Sequence, residues 1–182
     1  IRRKLRKIWG CQASLNMGDD PEVLRLAYRA GCRLIFIGIE SIHPASLAEM
    51  NKGVNLNRGV AGMKAAIARI HAAGIAVCGG FIFGNDHDDP DVFVETQAFI
   101  AESGLDAAAV SFLTPFPGTR LFDKLAAAHR LICNRFPGDW DRYDQSHLVF
   151  RPERCDLSEL IRAVDRIDNQ RGGTRLQHLG RA

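Results

Sequence analysis

Leu34-Ile35-Phe36-Ile37-Gly38-Ile39-Glu40-Ser41 is the stretch on which the fold turns. A strand with one wet face alternates apolar and polar residues. Here odd and even positions are apolar alike, which belongs in a parallel sheet with both faces covered. A carboxylate and a hydroxyl then close the run. Three further apolar, β-prone runs, at residues 7–14, 75–83 and 107–113, join the one at 33–40. Helical patterns separate them. The first opens at Pro21, with Asp19 or Asp20 as N-cap and Val23, Leu24, Leu26 and Ala27 as its apolar face, and ends near Gly31. The second covers residues 57–73 and stops at Gly74; the third covers 89–103 with Pro90 at its first position and stops at Gly104; a fourth covers 119–130.

Strand and helix alternating in this way specify parallel strands joined by right-handed crossovers. An open doubly wound sheet and a β/α barrel both satisfy the pattern. No G-x-G-x-x-G follows any of the strands, which weakens a dinucleotide-binding reading. In either architecture, chemistry sits at the strands' C-terminal ends. Those ends carry Gln12-Ala-Ser14, Glu40-Ser41, Gly84-Asn85-Asp86 and Thr114-Pro115.

Beyond Arg130 the pattern changes. Residues 136–150 are aromatic and irregular, and a last helix over about 157–167 places Leu157, Leu160, Ile161, Val164 and Ile167 at helical spacing. The tail from Asn169 is polar and is expected to be poorly ordered. The expected division is therefore a barrel part over residues 1–130 and an extension over 131–182 containing one helix and a flexible tail.

Composition bounds the function. With 46% hydrophobic residues, 25% charged residues and a net charge of +3, the chain reads as one soluble domain or a large piece of one. The heptapeptide Ile1-Arg-Arg-Lys-Leu-Arg-Lys7 carries more than that excess. Without interleaved aromatics it reads as the basic end of a helix rather than a nucleic-acid site. Because the first residue is Ile1, the chain is expected to start mid-domain. No apolar stretch reaches the roughly 18 residues that span a bilayer, so stable membrane insertion is not expected. Cys11, Cys32, Cys78, Cys133 and Cys155 are scattered, and no pair is spaced as C-x-x-C. They fit buried thiols in a reducing cytoplasm. The six histidines show no ligand spacing, and the nucleophile elbow, P-loop and kinase signatures are lacking, so no metal ligand and no catalytic residue is assigned in this chain.

Several residues carry candidate chemistry. Glu40 ends a buried strand, and a carboxylate there needs a cation, a cap or a ligand's hydroxyl pair, since an unpaired buried charge is too costly. Gln12 and Ser14 alternate, so both face one side, toward a barrel interior or cleft. Gly79-Gly80-Phe-Ile-Phe-Gly84 has glycines where backbone could approach a flat ligand, or where a bulge could form. The acids of Asn85-Asp-His-Asp-Asp89 read as N-caps rather than metal ligands. Thr114-Pro-Phe-Pro-Gly-Thr119 reads as a rigid turn at the active edge.

Taken in order, several segments resemble the second half of the radical S-adenosylmethionine (radical SAM) barrel, in particular the subgroup that carries a cobalamin-binding domain. They are Gln12-Ala-Ser-Leu-Asn16 with Asp20-Pro-Glu22; Ala30-Gly-Cys-Arg33 with Phe36-Ile-Gly-Ile-Glu-Ser41; Met50-Asn-Lys-Gly53; Gly80-Phe-Ile-Phe-Gly84 with Asp89-Pro90; and Leu113-Thr-Pro-Phe-Pro-Gly-Thr119. Asp139-Trp140, Tyr143-Asp144 and His147-Leu-Val-Phe150 before Pro152 look like the segment that follows that barrel, so the resemblance covers residues 1–168.

The resemblance implies an α/β fold, a partial (β/α) barrel of the TIM-barrel type, with this chain supplying its last four of six strands and a helical extension. It implies S-adenosylmethionine across the strand ends and a 4Fe-4S cluster that cleaves it reductively to a 5′-deoxyadenosyl radical. Cobalamin, in many members, delivers a methyl group to an unactivated carbon. Glu40 and Ser41 would lie against the SAM ribose, Gln12 and Ser14 would face its amino-acid moiety or the substrate, Gly80 to Gly84 would pack beside the adenine, and Thr114 would belong to the same rim. A small-molecule substrate and an electron donor such as flavodoxin or ferredoxin follow, with no nucleic acid. The cluster's C-x-x-x-C-x-x-C loop and the cobalamin domain are expected upstream of Ile1. The chain alone is then expected to be inactive, with an exposed sheet edge beside residues 7–14. A β/α-barrel aldolase or hydrolase with Glu40 as general acid or base, and a non-catalytic half-barrel, are the competing readings.

Overall fold

The computed structural model describes residues 7–169. Its four strands are β1 (Trp9–Ala13), β2 (Cys32–Glu40), β3 (Ala76–Phe83) and β4 (Ala107–Phe112), each within a residue or two of an expected run. All pair in parallel, in the sequential order β1-β2-β3-β4. A doubly wound sheet reverses its strand order at a switch point, and this sheet does not. Sequential order is that of a barrel wall.

Helices lie against one face of the sheet. Ile35, Ile37 and Ile39 of β2 and Val77, Phe81 and Phe83 of β3 point into that face and are buried in one continuous apolar cluster. Leu34, Phe36, Gly38 and Glu40 point to the other face and are only partly covered. The two-sided apolar character of β2 thus reflects one packed face and one that lines a barrel interior.

The connecting helices are α1 (Pro21–Arg29), α2 (Pro44–Glu49), α3 (Gly53–Ala72), α4 (Pro90–Glu102) and α5 (Arg120–Ala127). The starts of α1, α4 and α5 are fixed by side-chain caps. Asp20 accepts from the Glu22 and Val23 amides, Asp89 from Asp91 and Val92, and Thr119 from Phe122, so Asp20 rather than Asp19 caps α1. Four expectations change. Of the apolar residues assigned to the core face of α1, only Leu24 is buried, and Val23 and Leu26 are exposed. The helix expected from residue 57 begins at Gly53 and is broken at Gly59, where φ is 63° and ψ is 175°. The short α2 was not expected, and α5 stops at Ala127 rather than Arg130.

After α5 the chain runs irregularly, with a Leu131–Phe150 bridge and a small core of Leu125, Cys133, Tyr143, Val149 and Phe150. It ends in α6 (Leu157–Asn169), whose Leu160, Ala163, Val164 and Ile167 join the main core beside the strands. The extension is thus packed onto the barrel. The helix-end reading of residues 1–6 and the tail beyond residue 169 lie outside the described residues. Among the described residues, no helix is long and apolar enough to cross a membrane.

Candidate functional site

The end of β2 is unusual in its backbone. Glu40 lies in the left-handed region, with φ at 67°, and the β2–β3 register slips between Gly38 and Glu40. Asn55, buried in the first turn of α3, holds this bulge by donating from Nδ2 to the Gly38 carbonyl at 2.8 Å and the Ile39 carbonyl at 3.0 Å. The bulge turns the Glu40 side chain back over Gly38, where a Cβ would stand 2.4 Å from Glu40 Oε1. Lys52 Nζ donates to that same Oε1 at 2.8 Å. Glu40 is 14% exposed, and among the described residues its Oε2 has no hydrogen-bond partner. The cation that a strand-end carboxylate needs is therefore present, and it occupies only one of the two oxygens.

Glu40 stands at one wall of a cleft of about 360 Å³ on the open face of the sheet. Phe36, Gly80, Ile82, Ala109 and Ser111 form its floor, and Asp144, Gln145 and Ser146 of the extension form its far wall. The Gln145 carbonyl accepts from the Phe112 amide at 2.8 Å, which ties that wall to the end of β4. Register places Gln12 beside Phe36, Phe36 beside Cys78 and Cys78 beside Ala107, so Gln12 lies on the open face with the Gly38–Gly80 row between it and Glu40. Gln12 is exposed, and its side chain has no hydrogen-bond partner among the described residues.

Not all the expected residues converge. Ser14, at the end of β1, donates its hydroxyl to Asn16 Oδ1. Ser41 is buried, and its hydroxyl accepts from the His43 amide at 3.0 Å. The Thr114 hydroxyl donates to the Phe112 carbonyl at 3.1 Å. Gly84 faces Leu160 and Phe150 of the extension instead of the cleft. The glycines of β3 make room for protein side chains: a Cβ at Gly80 would meet Phe36 Cζ at 2.7 Å, and one at Gly79 would meet Leu105 Cδ1 at 2.8 Å. Glu40 and Gly80 meet at the cleft, while Gln12 lies on the same open face but level with Phe36, beyond the Gly38–Gly80 row.

Sequence reasoning missed the far wall, Asp144 to Ser146, because nothing local announces that Gln145 will bond to Phe112. It also missed Lys52 as the partner of Glu40. The acids after β3 divide their work. Asp89 caps α4, whereas Asp88 is buried and accepts from the Ser46 hydroxyl at 2.8 Å and the Gly84 and Asn85 amides at 2.9 and 3.0 Å. Burial pushes the Asp88 carboxyl above its ordinary value despite those donors. Asp86 pairs with Arg130 and Lys124. Burial alone would raise the Asp86 carboxyl, but the two cations outweigh it and hold the group low.

A cavity floored by parallel strands at their C-terminal ends, with an acid at one wall, marks the ligand-binding rim of a β/α barrel. A bacteriochlorophyllide d C-12(1)-methyltransferase from Chlorobaculum tepidum is 37% identical over 158 residues, which is 87% of this chain and 33% of that protein. The chain has the fold of the C-terminal strands of a radical SAM barrel. A hopanoid C-2 methylase from Rhodopseudomonas palustris is 33% identical over 122 residues, 67% of this chain and 23% of that one. The fold also matches a radical S-adenosylmethionine methyltransferase from Kitasatospora setae, solved with cobalamin and a 4Fe-4S cluster bound. That match has a TM-score of 0.56 at 21% identity, over 82% of this chain and 28% of that chain. No family model matches the sequence. The chain spans a third or less of the length of these relatives.

Proposed function

We propose that this chain forms the second half of the SAM-binding barrel of a methyltransferase acting on a carbon of a small molecule. The observation that carries the reading is Glu40: one oxygen is held by Lys52, and the other is unpartnered beside a cleft of ligand size. A ribose diol offers two donors to such an oxygen. Gln12, on the same open face level with Phe36, is assigned to the amino-acid moiety or the substrate, and the floor from Gly80 onward to the adenine. Ser14, Ser41, Gly84 and Thr114 take supporting places around that rim.

Bound at a reduced 4Fe-4S cluster, SAM supplies hydrogen-abstracting chemistry, and cobalamin would supply a methyl group. Among the described residues, no group of three or more His, Cys, Asp or Glu could hold a metal. We therefore assign the cluster ligands, and any cobalamin site, to parts of the protein outside this chain. What these residues do is bind, orient and exclude water. The two relatives are methyl-transferring enzymes by name, which supports a methyltransferase over an aldolase or hydrolase. An electron donor such as flavodoxin or ferredoxin, a small-molecule rather than nucleic-acid substrate, a cytoplasmic location, and a division into barrel (1–130) and extension (131–182) complete the proposal.

The test uses the full-length protein, reconstituted with iron and sulfide without oxygen, reduced, and supplied with SAM. Formation of 5′-deoxyadenosine is expected. Glu40→Gln should raise the KM for SAM about tenfold or more while leaving cluster content unchanged, since a hydrogen bond to a charged group is worth roughly 1.5–3 kcal/mol. An unchanged KM would remove Glu40 from the SAM site, and absence of any SAM cleavage would sink the reading.

A further inference from the structure

Glu40 sits in a turn that its own strand does not call for. The Ser41 amide donates to the Ile39 carbonyl at 2.9 Å, which closes a three-residue γ-turn with Glu40 at its centre and φ at 67°. That is the strained form of the turn, and a residue with a Cβ adopts it only where its surroundings impose it. Glycine would take the same φ without cost. Yet β2 places its glycine two residues earlier. Gly38 leaves the space into which the Glu40 carboxylate folds, since a Cβ there would stand 2.4 Å from Oε1. Strain retained under an acid that lines a cleft points to a use for the acid's position.

What imposes the turn is the start of α3. Residues 52–58 lie between two left-handed backbone positions, Asn51 at a φ of 56° and Gly59 at 63°, and so form a short unit of their own. Three of its side chains, each three residues from the next, reach back to the strand ends, as one face of a helical turn does. Lys52 pairs with Glu40 Oε1, and Arg58 grips the Asp19 carboxylate through both terminal nitrogens. Asp19 ends the 3-10 turn Leu15–Asp19 that follows β1, so the unit is anchored at a second strand end. Asn55 lies between these two and is only 4% exposed. Its Nδ2 donates to the Gly38 carbonyl at 2.8 Å and to the Ile39 carbonyl at 3.0 Å. The Ile39 carbonyl is the one that closes the γ-turn, so it accepts from Ser41 and Asn55 together. Lys52 is 43% exposed, and an ion pair in water holds little, so the buried amide of Asn55 is the fixed point.

We propose that Asn55 is a positioning residue of the site: it sets ligand affinity by holding the γ-turn that aims the free oxygen of Glu40 at the cleft. Asn55 does not itself line the cleft, and it acts through Glu40 alone. This rests on the reading of Glu40 as the acceptor for a ribose diol. Recognition is then governed from α3, because an acceptor displaced by a fraction of an ångström or turned off line forfeits most of a hydrogen bond. Without Asn55 the turn is free to relax toward an ordinary φ, which carries the carboxylate away from its place over Gly38.

Calorimetric titration of the full-length protein with adenosine and with 2′,3′-dideoxyadenosine, which lacks the diol, tests the assignment. The wild type is expected to favour adenosine by about tenfold or more, and Glu40→Ala to bring the ratio close to one. Asn55→Ala keeps the acid and should nevertheless bring the ratio close to one as well. In the Glu40→Ala background it should weaken adenosine no further, because the two residues act as one unit. Asn55→Ser, with a donor on a shorter arm, covers the case in which the alanine variant does not fold, and its ratio should fall between. A merely structural role for Asn55 would weaken both nucleosides alike and leave the ratio intact, which overturns the proposal, as would a further loss in the Glu40→Ala background. A ratio that falls in Glu40→Ala and not in the Asn55 variants refutes Asn55 alone. A ratio unmoved by Glu40→Ala, or a wild type that binds neither nucleoside, refutes the ribose reading of Glu40 with it.

Discussion

Glu40 stands at a φ of 67°, a conformation that costs a residue with a Cβ about 1 kcal/mol or more. Glycine would relieve that cost but would lose the Lys52 pair, worth about 0–1 kcal/mol, and would add backbone freedom to the unfolded chain worth roughly 0.5–1 kcal/mol. These contributions nearly cancel. Glu40→Gly should therefore leave stability in denaturant within about 1 kcal/mol of wild type, while SAM affinity falls as for Glu40→Gln. A large loss of stability would show that the acid is structural. Asp88 behaves in the opposite way. Asp88→Ala leaves the Ser46 hydroxyl and two buried amides without an acceptor and should cost about 2–4 kcal/mol. Asp88→Asn preserves an acceptor and should cost less. The folded-state pKa of Asp88 lies above its ordinary value of 3.8. Its contribution is therefore full below 3.8 and is withdrawn as pH rises through the folded-state value, and hydrogen exchange of the Gly84 and Asn85 amides should show that decline in wild type and not in Asp88→Asn. Glu40 was legible in the sequence because a charge ending a wholly apolar strand is anomalous. Asp86, Asp88 and Asp89 were not separable, since only the fold decides which acid of such a run is buried, paired or capping.

Among the elements, the strands and the starts of α1, α4 and α5 were legible because each carries its own local signal, an apolar run or a capping side chain. α2 has six residues, too few for a helical period to emerge, and the backbone break at Gly59 hid the first turn of α3, where Lys52 and Asn55 reach the site. The docking of the extension depends on contacts far apart in sequence. Arg130 pairs with Asp86, each only 13% exposed, and also reaches Glu153 at 3.1 Å and the Arg151 carbonyl at 2.7 Å. The Cys155 thiol donates to the Asp88 carbonyl at 2.9 Å, and burial pushes its pKa up to about 11. Arg130→Met leaves the largely covered Asp86 carboxylate with Lys124 as its remaining cation and should cost about 1–3 kcal/mol, less than breaking a fully buried pair. Cys155 reports the result. In the wild-type full-length protein it should resist alkylation at neutral pH, being protonated and covered, and in Arg130→Met its labelling should accelerate about tenfold or more as the extension opens. Labelling of Cys155 at equal rates in both proteins would show that the ion pair does not hold α6 in place.

For the whole molecule, the decisive feature is the edge of the sheet at β1, which pairs only with β2 among the described strands. Ile8 is 81% exposed and Trp9 38%, and Val23 and Leu26 of α1 are exposed on the neighbouring helix. A strand edge flanked by apolar side chains is a template for pairing with another chain. In the proposed full-length barrel, that pairing belongs to the preceding strand. The same substitution should then act with opposite signs in two settings. Produced alone, this chain should self-associate as its concentration rises in sedimentation velocity, and Ile8→Lys should shift it toward the monomer by placing a charge on the edge. In the full-length protein, Ile8→Lys buries that charge between two strands and should cost about 2–4 kcal/mol. A chain that stays monomeric without the substitution would show that the edge is already protected. A full-length protein indifferent to the lysine would show that no strand covers β1, and the barrel would have to close elsewhere.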